Sequence, residues 1–118
     1  MEKHIQVLVE LTIAEGKIDE VKSQMPSIIE RVKSNEPDMI GYQWYLNEDE
    51  SKCHVIEWLK NPQAWLTHLS NVEHSVPALF AIAPITRLEF FGDIPKEVED
   101  AAKPFGAIIN KYLSGFIR

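Results

Sequence analysis

His68, Glu57 and Arg87 are the side chains of this sequence best suited to moving charge. An imidazole with an ordinary pKa near ~6.5 exchanges a proton around neutrality, which makes His68 the first candidate for a general base. Glu57 is the second, because burial raises a carboxyl group toward the same range. Arg87 could steady an oxyanion, or it could neutralise Glu57 and Glu89. Trp44, Tyr45, Trp58 and Trp65 offer flat faces for a stacked ligand, and the three tryptophans fall within 22 residues. Each group also has a plainer reading: His68 as a hydrogen-bonded packing residue, Glu57 as the ion-pair partner of Arg87, and the rings as core filling.

Other chemistries lack their residues. Among His4, His54, His68 and His74, only the last two lie close in sequence, and six positions on a continuous helix leave them about 120° out of alignment. No metal is expected. The single cysteine, Cys53, excludes an intramolecular disulfide and a Cys-rich zinc site, and it reads as a small buried or edge side chain. Phosphate-binding loops and Ser-His-Asp arrangements have no sequence context here. With 12 basic against 18 acidic side chains the net charge is −6, and no basic stripe offsets it, which argues against nucleic acid. The longest stretch without Asp, Glu, Lys or Arg, His74 to Thr86, is thirteen residues, short of the ~20 needed to span a bilayer. No apolar leader follows Met1, and the expectation is a cytoplasmic protein.

The elements that must position these groups follow from hydrophobic period. Residues 4–13 alternate, with Ile5, Val7, Val9, Leu11 and Ile13 on one side, which predicts a strand. Ile18, Val21, Met25, Ile28, Ile29 and Val32 then recur at spacings of three and four, which predicts an amphipathic helix that Pro26 should kink. Residues 39–46 and 53–59 read as a hairpin around Asn47 to Lys52. Asn61-Pro62 opens a second helix carrying Ala64, Trp65, His68, Leu69 and Val72 on one face. A short apolar piece from Val76 precedes a fourth strand at 85–91.

That order, β-α-β-β-α-β, is the ferredoxin-like arrangement of an α+β protein with an antiparallel sheet. The expected organisation is one such domain over residues 1–94 and a C-terminal helical extension over 95–118. In that extension Val98, Ala102, Phe105, Ile109 and Tyr112 suggest a helix broken at Pro104. Two helices cover only one face of four strands. The apolar side of the first strand, with Ile56, Leu88 and Phe90, is expected to meet the helices. Gln6, Leu8, Glu10, Gln43, Val55, Glu57, Arg87 and Glu89 would then share the other face. Two such faces meeting in a homodimer would enclose a cavity lined by the polar groups.

Glu36-Pro-x-x-x-Gly41-x-x-Trp44-Tyr45, Val55-Ile56-Glu57-Trp58 and Asn61-Pro62-x-Ala64-x-x-x-His68-Leu69 together resemble the antibiotic biosynthesis monooxygenase-like family over residues 4–91. The resemblance implies a dimeric α/β barrel, two ferredoxin-like protomers packed sheet to sheet. It also implies a cofactor-independent monooxygenase acting on a small apolar or aromatic molecule such as an anthrone or quinol. His68 or Glu57 would be its base, Arg87 its enolate-stabilising group, and Trp44, Tyr45, Trp58 and Trp65 its substrate contacts. The sequence departs from the haem-degrading members: His68 stands where they carry a tryptophan, and the first strand offers Val9 and Glu10 in place of an asparagine. The competing reading is a non-catalytic dimeric module that binds a small ligand or serves a structural role. An enzyme should present His68 or Glu57 to the cavity, whereas such a module would have both satisfied by protein partners.

Overall fold

The computed structural model describes residues 4–118. Its elements are β1 (Ile5–Thr12), α1 (Ile18–Asn35), β2 (Met39–Leu46), β3 (Lys52–Leu59), α2 (Gln63–Val72), α3 (Val76–Ile82), β4 (Ile85–Phe91), α4 (Lys96–Ala102) and β5 (Ile108–Asn110). The sheet order is β2-β3-β1-β4-β5. All neighbours are antiparallel except β4 and β5. Through β4 this is the expected ferredoxin-like α+β fold, with α3 placed before the last strand of the unit. No helix among the described residues is long and apolar enough to cross a membrane.

Local chemistry explains the boundaries of the two helices that carry the site. Asn61 Oδ1 accepts the Ala64 N–H at 2.9 Å and so satisfies one of the free donors at the start of α2. α1 ends where Pro37 follows Glu36, whose N–H still reaches the Val32 carbonyl at 3.0 Å. Pro26 does not interrupt α1, which runs unbroken for 18 residues. The carbonyl deprived of its partner is that of Lys22, and both Pro26 and Lys22 lie on the exposed side.

The strand register corrects the expected division of faces. Val7 pairs with Glu57 and Val9 with Val55, so these residues share a face with Ile5 and Leu11. Tyr42 and Trp44 of β2 stand opposite Glu57 and Val55 on the same side. The helices therefore cover Cys53, Val55, Glu57 and Leu59, all buried, while His54, Ile56 and Trp58 point to the uncovered face. Because side chains alternate, assigning Ile56 to the core exchanges every residue of that strand. Gln6, Leu8, Glu10, Gln43, Arg87 and Glu89 do lie on the uncovered face. Gly41 is there too, opposite Trp58, and a Cβ on it would come within 2.6 Å of the indole Cδ1. Glycine at this position lets the ring lie across β2.

The C-terminal region is also corrected. The helix stops at Ala102, a 3-10 turn takes Lys103–Phe105, and Gly106 at φ 74° reverses the chain. Ile109 then lies in β5 beside Phe90, not on a helix. Val98 and Ala102 are completely buried against the core containing Trp65, Leu88 and Phe90. Pro104 removes the donor that a longer helix would need, and the short strand recovers its hydrogen bonds along β4.

Candidate active site

Three buried ionisable side chains from three elements meet between the sheet and the helices. Glu36 comes from the end of α1, Glu57 from β3 and His68 from the sheet-facing side of α2. His68 Nδ1 lies 3.0 Å from both Glu36 oxygens, and its Nε2 lies 3.4 Å from Glu57 Oε2. The ring thus bridges two carboxylates. Asn71, one turn along α2, donates from Nδ2 to Glu36 Oε2 at 2.7 Å. Asn71 is itself anchored to α1, where Arg31 Nε donates to its carbonyl at 2.7 Å. Tyr42 stands edge-on to the imidazole, with ring centroids 5.4 Å apart.

Burial alone would push the His68 imidazole down, since a charged ring loses its hydration. The Glu57 charge, the hydrogen bonds to Glu36 and Glu57 and the Glu36 charge outweigh it, and the ring is pushed up to about 10. Both carboxylates thus favour the charged form of the ring, whose Nδ1–H points at Glu36. Burial and, second, the nearby Glu57 charge drive the Tyr42 phenol well above its ordinary range. Burial also raises the Cys53 thiol to about 11, which suits an inert packing residue.

A cavity of about 280 Å³ opens beside this trio. Its walls are mostly apolar and include Val9, Leu11 and Val55 on the sheet side, Trp65, Leu69 and Val72 on α2, and Val76, Leu79 and Phe80 on α3. Tyr42, Trp44, Glu57, His68 and Glu73 bring its polar groups. Among the described residues, two buried side-chain atoms have no hydrogen-bond partner, Glu57 Oε1 and Trp44 Nε1. One is an acceptor and the other a donor, and both belong to residues lining the cavity.

The residues singled out from the sequence are thus divided between two faces. His68, Glu57, Trp44 and Trp65 come together at the cavity. Arg87, Tyr45 and Trp58 are on the opposite face, where Arg87 Nε donates to Glu89. The expected Glu57–Arg87 pair does not form, because the sheet lies between them. This cavity lies on the helix side of the sheet, whereas the one expected on the uncovered face is a hollow that two copies would enclose. Glu36 and Tyr42 were missed as site residues. Glu36 read only as part of a turn, and its partner is 32 residues away. Among the described residues, no group of three His, Cys, Asp or Glu side chains is arranged to hold a metal ion.

The model of the antibiotic biosynthesis monooxygenase family matches residues 5–76, and the chain belongs to that family. None of the curated proteins matches it. MupZ from Pseudomonas fluorescens superposes with a TM-score of 0.84 at 22% identity, covering 98% of this chain and 95% of that one. That span takes in α4 and β5 as well. A conserved protein from Methanosarcina mazei gives 0.68 at 16% identity, over 78% of this chain and 94% of its own. A variant of SnoaB, a cofactor-independent oxygenase from Streptomyces nogalater, gives 0.67 at 14% identity, over 77% and 93%. At these identities the likeness is one of fold.

Proposed function

We propose that this monooxygenase-like protein is a cofactor-independent oxygenase that takes a small, uncharged, apolar or aromatic molecule into the cavity between sheet and helices. The observation that carries the reading is Glu57 Oε1, a buried carboxylate oxygen without a protein partner beside an apolar cavity. Glu57 is the base and removes a proton from an acidic C–H of the substrate. The Trp44 indole N–H meets the oxygen of the resulting enolate, the role the sequence reading gave to Arg87. The carbanion passes one electron to O2, and the radical pair joins through a C–O bond to a peroxide. Glu57 returns its proton to that peroxide. Loss of the second C–H proton with cleavage of O–O leaves a ketone and water, so CH2 plus O2 becomes C=O plus H2O. The apolar walls keep bulk water from the carbanion. Trp65 provides a flat contact surface.

The non-catalytic alternative requires both candidate bases to be satisfied by protein. His68 meets that condition and Glu57 does not, which favours the enzyme. Tyr45 and Trp58 belong to a different task in this reading: with Leu8, Ile56 and the exposed Phe91 they cover the uncovered face in a homodimer. Sedimentation at micromolar concentration tests that part.

Aerobic incubation with a panel of anthrones and quinols, with oxygen uptake as the readout, tests the chemistry. At least one member should consume oxygen faster than buffer. Glu57→Gln should reduce that rate by roughly 10²–10⁴-fold, the contribution of a well-placed general base. A panel with no uptake above buffer, or a Glu57→Gln variant at full rate, would overturn the oxygenase reading.

A further inference from the structure

We infer that Glu36 is a positioning residue for Glu57: acting through His68, it holds the bridging proton on the imidazole and leaves the Glu57 carboxylate free to serve as base. The inference rests on the assignment of Glu57 as the base. Its warrant is geometric. A lone Glu–His pair in an apolar pocket has a cheaper arrangement than the ion pair, in which the proton moves to the carboxylate and both groups are neutral. Glu57 would then be a carboxylic acid with nothing to abstract a proton. Glu36 breaks that symmetry. Its carboxylate lies 3.0 Å from Nδ1, on the far side of the ring from Glu57, so its charge favours a proton on the ring over one on Glu57.

The backbone around Glu36 is built for this. Its N–H closes α1 on Val32, and its carbonyl accepts from Met39 N–H at 3.1 Å, which fixes the residue on both sides. Pro37 prevents the helix from continuing. A carboxylate at a helix C-terminus faces the negative end of the helix dipole, so α1 itself gives no reason for an acid there. The Asn71 amide takes up Glu36 Oε2 and orients the carboxylate toward the ring. The titratable groups facing His68 are Glu36 from the end of α1, Tyr42 from β2 and Glu57 from β3, with Arg31 attached to the outer end of the network through Asn71. Neither Tyr42 nor Arg31 alters the sign, since the phenol stays neutral and the Arg31 guanidinium donates to the Asn71 backbone carbonyl and not to Glu36.

The test follows the His68 ring nitrogens by NMR in protein labelled with 15N-histidine, which needs no substrate. In the wild type both should carry protons at pH 7. In Glu36→Gln, which keeps an acceptor near Nδ1 but removes the charge, Nε2 should lose its proton to Glu57, and Glu36→Asp should restore the doubly protonated ring. With any substrate from the oxygen-uptake panel, Glu36→Gln should lower kcat at least tenfold while changing KM less than threefold. Asn71→Ala, which removes the bond orienting Glu36, should shift both readouts in the same direction by less, and it serves if Glu36→Gln fails to fold. A ring still doubly protonated at pH 7 in Glu36→Gln, or in Asn71→Ala where that is the variant available an unmoved kcat and an unmoved titration midpoint, would sink the inference. A fully active Glu57→Gln would instead remove the function it serves, whatever the ring shows.

Discussion

β3 carries a glutamate–histidine contact on each of its faces, and the two differ mainly in what surrounds them. On the uncovered face His54 Nε2 lies 3.3 Å from Glu10 Oε2, with the two side chains 32% and 18% exposed. On the covered face His68 Nε2 lies 3.4 Å from Glu57 Oε2, and exposure falls to 8% and 4%. The separations are nearly equal. Glu10 also has Thr86 Oγ1 at 2.7 Å and Lys52 Nζ at 3.7 Å, and the Thr86 hydrogen bond holds its carboxyl below the ordinary value. His54 and Lys52 are 32% and 40% exposed, so that cluster stays in contact with solvent. Glu57 and His68 depend on each other and on Glu36, and they keep one oxygen unmatched beside a cavity. The same residue types at nearly the same range thus form a surface cross-link in one place and, in the proposed function, the base and its partner in the other, and burial separates the two.

The largest test of this contrast removes the central ring. His68→Leu keeps the volume roughly constant but leaves two carboxylates buried without a cation, and loss of one partner from a buried pair costs about 3–5 kcal/mol. Urea unfolding at pH 7 should show a drop of that size. A drop under about 1 kcal/mol would mean that the trio is far better hydrated than its burial implies.

A second test uses pH. The folded protein keeps the His68 proton up to about 10, whereas the unfolded chain releases it near ~6.5. Its contribution is therefore complete below ~6.5 and is lost as pH rises toward 10, with a slope near −1.4 kcal/mol per pH unit where the two states differ by one proton. Between pH 7 and pH 9.5 this group alone should remove roughly 2–3 kcal/mol. In His68→Leu the decline should be much flatter over the same interval. Equal slopes in the two proteins would show that other groups set the pH dependence.

The asymmetry between the faces also explains how far the sequence could be read. β1 announces its own sides because Ile5, Val7, Val9, Leu11 and Ile13 form one apolar row. β3 does not: Val55 and Leu59 are apolar in one parity, Ile56 and Trp58 in the other, and nothing in its composition says which row is covered. The register with β1 decides, and that is a property of pairing across the sheet. Placing Ile56 in the core carries Glu57 to the wrong face and joins it to Arg87. The His68 position was legible because α2 has a cap and a clean helical stripe. Glu36 was illegible in chemical terms, since an acid before a proline at a helix end looks like any turn. Its meaning comes from a ring on another helix. β5 is three residues long, too short for a period to register, and Pro104 and Gly106 were its only signs.

The smallest expected effect tests the uncovered face. A double-mutant cycle on Glu10→Gln and His54→Ala should give a coupling of about 0.2–1 kcal/mol, the range for exposed ion pairs, at concentrations where the protein is a monomer. Raising salt from ~0.05 M to ~0.5 M should shrink it, because the Debye length falls below the reach of the pair's neighbours. The same cycle in the covered pair should be nearly insensitive to salt. If a second copy covers this face, as proposed, the Glu10–His54 coupling should grow with protein concentration and lose its salt dependence, for the pair would then sit in surroundings like those of Glu57 and His68. A coupling that stays small at every concentration would leave the face wet in solution. The contrast between the two pairs would then belong to the single chain, and the proposed homodimer through this face would be overturned.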